Sequence, residues 1–137
     1  MWIYNDDEFT SKDIGDYKAF VYQITNLTNN RKYIGKKRFI SRRTLPPLKG
    51  KTRKRKIVKE SDWKTYWGSN EELQEDVKKL GEANFKREIL RLCCTLSESS
   101  YYEAKEQFEN DVLLSEHFYN SWIDVKVRAH HLTKGKS

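Results

Sequence analysis

Ala19-Phe20-Val21-Tyr22-Gln23-Ile24-Thr25, Asn26-Leu27-Thr28-Asn29-Asn30 and Arg31-Lys32-Tyr33-Ile34-Gly35-Lys36 follow one another, and their reading decides the fold. The first seven residues alternate and are rich in β-branched and aromatic side chains, the pattern of a strand. The next five are a cluster of turn formers, and the last six read as a second strand, completing a hairpin. With a four-residue turn at Leu27 to Asn30, Asn26 pairs with Arg31, Tyr22 lies opposite Gly35 and Tyr33 lies opposite Ile24. Residues directly opposite share a face, so both phenols then point the same way, and Gly35 leaves space beside Tyr22. A five-residue loop slips the register by one and sends the two tyrosines to opposite faces. From spacing alone, two tyrosines in a hairpin are more often packing residues than functional ones.

Outward from the hairpin, Ser69-Asn70-Glu71-Glu72 fits a capping box through Ser69 and Glu72. Leu73, Val77 and Leu80 follow at helical spacing, and Gly81 ends that helix. Phe85 to Cys93 reads as a third strand. Thr95-Leu96-Ser97-Glu98 is a second capping box, and the helix after it sets Tyr101, Ala104, Phe108 and Val112 on one apolar face. Trp122 to Ala129 alternates weakly and suggests an extra C-terminal strand. The expected class is α+β: a small antiparallel three-stranded sheet flanked by helices, in one domain spanning 1–137.

Length and composition agree with one domain. The 137 residues carry 13% aromatics, which argues against disorder. No apolar run approaches a membrane span, and the acidic, aromatic start is not a signal peptide, so a cytoplasmic protein is expected. Cys93-Cys94 offers no zinc spacing and no disulfide framework. The charge is the anomaly. Fourteen Lys/Arg and no Asp or Glu lie between Arg31 and Lys59, while the rest of the chain holds 13 basic and 20 acidic residues, net −7. Folding does not ask for such a cluster, since like charges weaken the compact state. Pro46-Pro47 and Gly50 forbid one continuous amphipathic helix there, so 44–60 reads as a basic, loop-like insertion with nucleic acid, not a membrane, as partner.

The pattern resembles the GIY-YIG nuclease family. Phe20-Val21-Tyr22 stands at the first motif, without its glycine, and Tyr33-Ile34-Gly35 matches the second. Arg43 lies ten residues after Tyr33, at the place of the family's arginine, with Arg42 adjoining it and Arg38 close. Glu103, in Tyr102-Glu103-Ala104, stands where the family's metal-binding glutamate lies on a helix, and Asn120 where a late asparagine supports the site. The likeness runs from about Lys18 to Ile123. Asp62-Trp63-Lys64-Thr65-Tyr66-Trp67-Gly68-Ser69-Asn70 is similar to phage-encoded members, in particular the freestanding seg-type homing endonucleases.

The resemblance implies hydrolysis of double-stranded DNA with one Mg²⁺ or Mn²⁺, in a host cell's cytoplasm if the protein is phage-encoded, by a monomer or transient dimer. Tyr22 would be the general base or would position the water. A free phenol titrates near ~10, so cations such as Lys36, Lys37 and Arg38 would have to lower it. Tyr33 would hydrogen-bond phosphate or orient the nucleophile, and Arg43 would grip phosphate oxygens with its planar fork. Glu103 would hold the ion, a hard cation that prefers oxygen, and Asn120 would act as support. Lys36, Lys37, Arg38, Arg42, Lys51, Arg53, Lys54, Arg55 and Lys56 would hold DNA.

Plainer readings stand beside these. On spacing, Glu103 falls on a polar helix stripe with Glu106, Gln107 and Asn110, as a solvated carboxylate would, and Glu106 could replace it as ligand. Asn120 could cap a turn. Trp63, Tyr66 and Trp67 read as core or loop anchors, and His117, His130 and His131 as surface residues. The alternative functions are a catalytically inactive DNA-binding module on the same fold and a protein-binding accessory factor.

Overall fold

The structure is a computed structural model that describes residues 1–127 and 129. In chain order it contains β1 (Trp2–Tyr4), β2 (Asp7–Phe9), β3 (Ala19–Asn26), β4 (Arg31–Arg38), β5 (Ile40–Leu45), β6 (Arg55–Glu60), α1 (Glu71–Leu80), β7 (Phe85–Cys93) and α2 (Leu96–Glu109). Five strands form one sheet in the order β2-β1-β7-β3-β4, and β5 and β6 form a separate two-stranded ribbon.

β3 lies inside the sheet and is buried along nearly its whole length. Its alternation divides the core. Phe20, Tyr22 and Ile24 join an aromatic cluster with Trp2, Phe39, Trp63 and Leu73. Val21 joins a smaller cluster with Ile34, Cys93 and Val112, against which Tyr102 of α2 packs. In the larger cluster Phe20 stacks on Phe39 at 4.7 Å between ring centroids and meets Trp2 edge-on at 5.0 Å, arrangements that suit the ring quadrupoles.

The hairpin uses the four-residue turn: Asn26 pairs with Arg31, Ile24 with Tyr33 and Tyr22 with Gly35. Asn26 fixes it locally, because its Oδ1 accepts from the Thr28 backbone N–H and hydroxyl. Both tyrosines therefore project from one face of the sheet.

The expected three-stranded sheet is too small. β1 pairs parallel with β7, through Trp2 and Arg87, and β2 extends the edge. Three-residue strands are too short to show a period, and what recruits them is the burial of Trp2, which is 2% exposed. The local signal was Asn5-Asp6, both at positive φ (49° and 68°), the two-residue turn that joins Tyr4 to Asp7. The late strand does not form: residues 121–127 make no regular element, and Trp122 is exposed. The edge of β4 is met instead by one parallel bridge from Lys32 to Phe118. His130 and His131 lie outside the described residues.

The 44–60 insertion is not a loop. Ile40 to Leu45 pairs residue by residue with Arg55 to Glu60, and Pro46-Pro47 sits in the connection, where a missing N–H breaks no ladder. α2 is also rotated from the expected orientation. Ala104 and, beyond the helix end, Val112 are buried as expected, but Phe108 is 61% exposed and Tyr101 is exposed. Ser99, Glu103 and Gln107, spaced by four, turn inward beside Ala104, with Ser99 and Gln107 buried and Glu103 half-buried. α1 is capped by Asn70, whose Oδ1 accepts from the Leu73 N–H, rather than by Ser69.

Arg87 ties the segment before α1 to the sheet. Its guanidinium lies over the rings of Trp2 (4.7 Å) and Trp67 (4.2 Å), and Nη1 donates to the carbonyls of Lys64 and Tyr66. Trp63 is buried, and its carbonyl accepts from Trp2 Nε1 at 2.7 Å. The aromatic anchors expected at Trp63, Tyr66 and Trp67 thus hold the approach to Gly68, Ser69 and Asn70. Cys93 is buried, Cys94 is exposed and both are free thiols. Among the described residues no helix is long and apolar enough to cross a membrane.

Candidate active site

A cavity of about 290 Å³ opens beside the edge strand β4. Tyr33 and Lys36 reach it from β4, Ser69 and Asn70 from the entry to α1, Glu103 and Gln107 from α2, and Asn120 to Asp124 from the irregular segment beyond. Segments far apart in the chain meet because polar side chains take the place of missing strand pairing. The Asn120 amide clasps the β4 backbone: its Oδ1 accepts from the Ile34 N–H at 3.0 Å, and its Nδ2 donates to the Ile34 carbonyl at 2.8 Å. Asn70 donates through Nδ2 to the Tyr119 carbonyl. The Tyr119 hydroxyl accepts from Asn26 and donates to Asp76, with the Arg31 guanidinium 4.2 Å from its ring centroid. Arg31 in turn forks onto Glu72 at 2.6 and 3.0 Å. Glu72 is thus occupied by an ion pair and Ser69 is free of capping duty.

Tyr33 lies in the cavity wall, its hydroxyl 3.1 Å from Ser69 Oγ. Tyr22 sits behind it, 1% exposed, with the two rings 6.2 Å apart. Two glycines make room for the Tyr22 hydroxyl. A Cβ at Gly35 would lie 2.5 Å from that oxygen, which excludes a side chain there unless the phenol moves. At Gly68, which holds φ +82°, a Cβ would come within 3.4 Å of the same oxygen.

Burial pushes the Tyr22 phenol well above its usual value, and Tyr33, Tyr66 and Glu103 push it the same way. The expected lowering by Lys36, Lys37 and Arg38 does not occur, because these cations are directed elsewhere. Lys36 Nζ donates to Ser100. Lys37 pairs with Asp62 at 2.6 Å and lies 4.2 Å from the Tyr66 ring centroid. Arg38 faces the groove described below. Burial also raises Tyr33, partly offset by its hydrogen bond with Ser69.

Glu103 is the carboxylate the fold brings in. It is half-buried rather than solvated, and burial raises its pKa to about 7 against the attraction of Lys36 and a hydrogen bond from the Lys36 backbone. Asp124, which sequence reasoning missed, adds a repulsion that raises it further. Gln107 was also missed as a site residue. Its Nε2 donates to the Ile34 carbonyl, and its buried Oε1 has no partner. Asp124 carries no local signal, since it shows itself only when Asn120 pins the segment to β4. Glu106 does not line the cavity.

Among the described residues no three His, Cys, Asp or Glu side chains converge, so a zinc cage is not built here. The cavity is lined by two carboxylates, Glu103 and Asp124, together with hydroxyl and amide side chains. An all-oxygen set with few anionic ligands suits Mg²⁺ or Mn²⁺, ions that keep several of their waters.

The expected DNA contacts fall in two places. Lys36, Lys37, Arg38 and Arg42 line a larger groove of about 820 Å³ between the base of the β5–β6 ribbon and the first turn of α2, with Lys59, Glu60 and Asp62 on the same walls. Lys51, Arg53, Lys54, Arg55 and Lys56 are exposed on the ribbon and its connecting loop. Arg43 sits on β5 opposite Ile57, and its side chain lies outside the described part of the structure. The groove and the cavity share Lys36.

The sequence model of a family described as "Putative endonuclease segE, GIY-YIG domain" matches residues 2–123. A curated protein of Enterobacteria phage T4, "Putative endonuclease segE", is 34% identical over 101 residues, which are 74% of this chain and 39% of that protein. The chain thus spans well under two thirds of that relative's length. No solved structure matches the chain.

Proposed function

The chain belongs to the GIY-YIG endonuclease family, and from that membership we propose that it hydrolyses phosphodiester bonds of double-stranded DNA with one bound divalent cation, Mg²⁺ or Mn²⁺. The carrying observation is that Tyr33 and Glu103, 70 residues apart in the chain, line one polar cavity with Tyr22 directly behind.

Hydrolysis needs a positioned water, neutralisation of the charge that builds on phosphorus, and a stabilised leaving oxygen. Glu103 would hold the cation with Asp124 beside it, and the bound ion would supply Lewis-acid neutralisation. The chain's own groups do the rest. With its phenol held protonated by burial, Tyr22 acts as a hydrogen-bonding group that orients the water, and this is favoured over the general-base role. Tyr33, steadied by Ser69, orients the nucleophile or a phosphate oxygen from the wall. Lys36 balances negative charge at the cavity mouth, and Arg43 supplies the planar grip on phosphate. Asn120 contributes by fixing β4, since both ends of its amide are engaged by Ile34.

Supercoiled plasmid incubated with purified protein should be nicked or linearised with Mg²⁺ or Mn²⁺ and left intact in EDTA. The second reading, an inactive DNA-binding module, draws on the first motif's missing glycine and the buried Tyr22. It requires binding without cutting under every divalent ion tried. The biological role follows the same reading: a freestanding homing or DNA-processing nuclease in a host cell's cytoplasm, acting as a monomer or a transient dimer on DNA. A few recurrent cut sites in a mapped genome support homing, and scattered cuts oppose it.

A further inference from the structure

Beyond its base, where Ile40 packs against the larger cluster and Glu60 accepts from Ser11 and Trp63, the β5–β6 ribbon contributes nothing to the core. β6 is exposed at every position, Val58 to 59% and Ile57 to 40%. A two-stranded hairpin with nothing packed over it is marginal in water, and this one also concentrates like charge. Nine Lys/Arg and a single acid, Glu60 at its base, lie between Ile40 and Glu60.

The register shows what such a ribbon fits. Arg42 pairs with Val58 and Thr44 with Lys56, which sets cations and a β-branched residue on one face. Leu45 pairs with Arg55 and Ser41 with Lys59, which sets cations on the other face, together with Ile57. A ribbon lying flat on one phosphate backbone would need basic residues on a single face. A ribbon with cations on both faces and short apolar or hydroxyl side chains between them matches a channel with phosphates on both walls and base edges at its floor. The major groove of B-form DNA is such a channel, about 12 Å wide, and it admits a two-stranded β-ribbon. The A-form duplex of RNA closes the equivalent groove.

We propose that the β5–β6 ribbon enters the major groove of duplex DNA and is the element that selects the cut site. This rests on the nuclease reading for the word "cut" but not for the binding mode. Placed so, the groove at the ribbon's base carries a strand along Arg42, Arg38 and Lys36. Lys36 also borders the cavity of Glu103, so the scissile phosphate lies just outside the stretch the ribbon reads. Thr44, Ile57 and Val58 are the side chains suited to base edges and thymine methyl groups, while the cations position without specifying.

The test separates groove from chemistry. In EDTA, the full chain is bound to a random-sequence DNA duplex of about 30 bp, followed by fluorescence anisotropy. Methyl green, a major-groove ligand, should weaken binding by ~10-fold or more, netropsin in the minor groove by less than ~2-fold, and the duplex RNA of the same sequence should bind at least ~10-fold more weakly. Equal competition by netropsin, or equal affinity for the RNA, overturns the proposal whether or not the protein cuts. With Mg²⁺, the Ile57→Ser/Val58→Ser double variant, altered only at exposed positions, should cut at a broadened set of sites with an unchanged salt slope. An unchanged set of sites overturns the selecting role. Failure of the parent protein to cut any DNA would instead sink the nuclease reading and leave the competition result standing.

Discussion

The cavity beside β4 and the β5–β6 ribbon are built on opposite principles. In the cavity the amides and the phenol are tied to structural partners: Asn120 to Ile34, Asn70 to Tyr119 and Leu73, and Tyr33 to Ser69. Burial raises two of its ionisable groups, Glu103 to about 7 and Tyr22 well above its usual value. In the ribbon the charges face water and the pairing is almost wholly backbone. The first region is organised by the fold before any ligand arrives, as electrostatic preorganisation requires. The second is a solvent-facing surface of concentrated positive charge, which the proposed major-groove contact would use. Turnover and affinity should therefore separate along the same line.

The largest effect that would sharpen this division is at Glu103. Glu103→Ala should lower plasmid cleavage by ~10³-fold or more, in the range lost with a principal electrostatic group, while DNA affinity in EDTA stays equal or tightens because an anion near phosphate is gone. Cleavage at the parent rate would break the assignment. Next is Tyr22→Phe, which removes one hydroxyl from between Gly35 and Gly68. A loss of ~10²-fold in single-turnover rate with unchanged Kd is expected if its hydroxyl orients the attacking water. Weakened binding with normal turnover would move Tyr22 to the binding side of the comparison.

The ribbon should behave in reverse. Neutralising Arg53, Lys54, Arg55 and Lys56 together should flatten the dependence of log Kd on log salt by roughly 0.9 for each phosphate that the ribbon no longer neutralises, with the single-turnover rate at saturating protein little changed. An unchanged slope would detach this cluster from DNA. The smallest effect is a stability shift. Because the folded state raises the Glu103 pKa to about 7 from 4.5, the native protein resists the charge. Its favourable contribution is complete below the unfolded value and is lost as pH rises through the folded one. Glu103→Gln should therefore raise Tm relative to the parent at pH 8 and match it near pH 4.5, as read by thermal melts at both pH values. An equal offset at both would show that the carboxyl is not held neutral by its site.

The sequence made the hairpin legible because its signals are local. Alternation marked β3 and β4, the Asn-rich cluster marked the turn, and pairing then followed from geometry, bringing Tyr22 against Gly35. β7 was legible for the same reason. The N-terminal strands were not, since three residues carry no period and Trp2 finds its place only against β3 and Arg87. The ribbon was mistaken for a loop because its charge and its proline pair dominate the reading, although both prolines fall in the connection. The roll of α2 was misjudged as well. An apolar count favoured Tyr101 and Phe108, whereas the helix lies along a sheet edge whose backbone seeks polar partners, and Gln107 and Glu103 were turned toward it.

By itself, then, the sequence determined the β-hairpin, its register once the turn length is chosen, the concentration of positive charge and the residue types on which the family resemblance rests. Tertiary structure alone decided that Glu103 is half-buried, that Asp124 stands near it, and that the Tyr22 phenol is shifted up by burial rather than down by neighbouring cations. Pairing within a hairpin is a short-range property of adjacent residues. Burial, and the protonation states that follow from it, depend on which distant segments exclude water from a given atom.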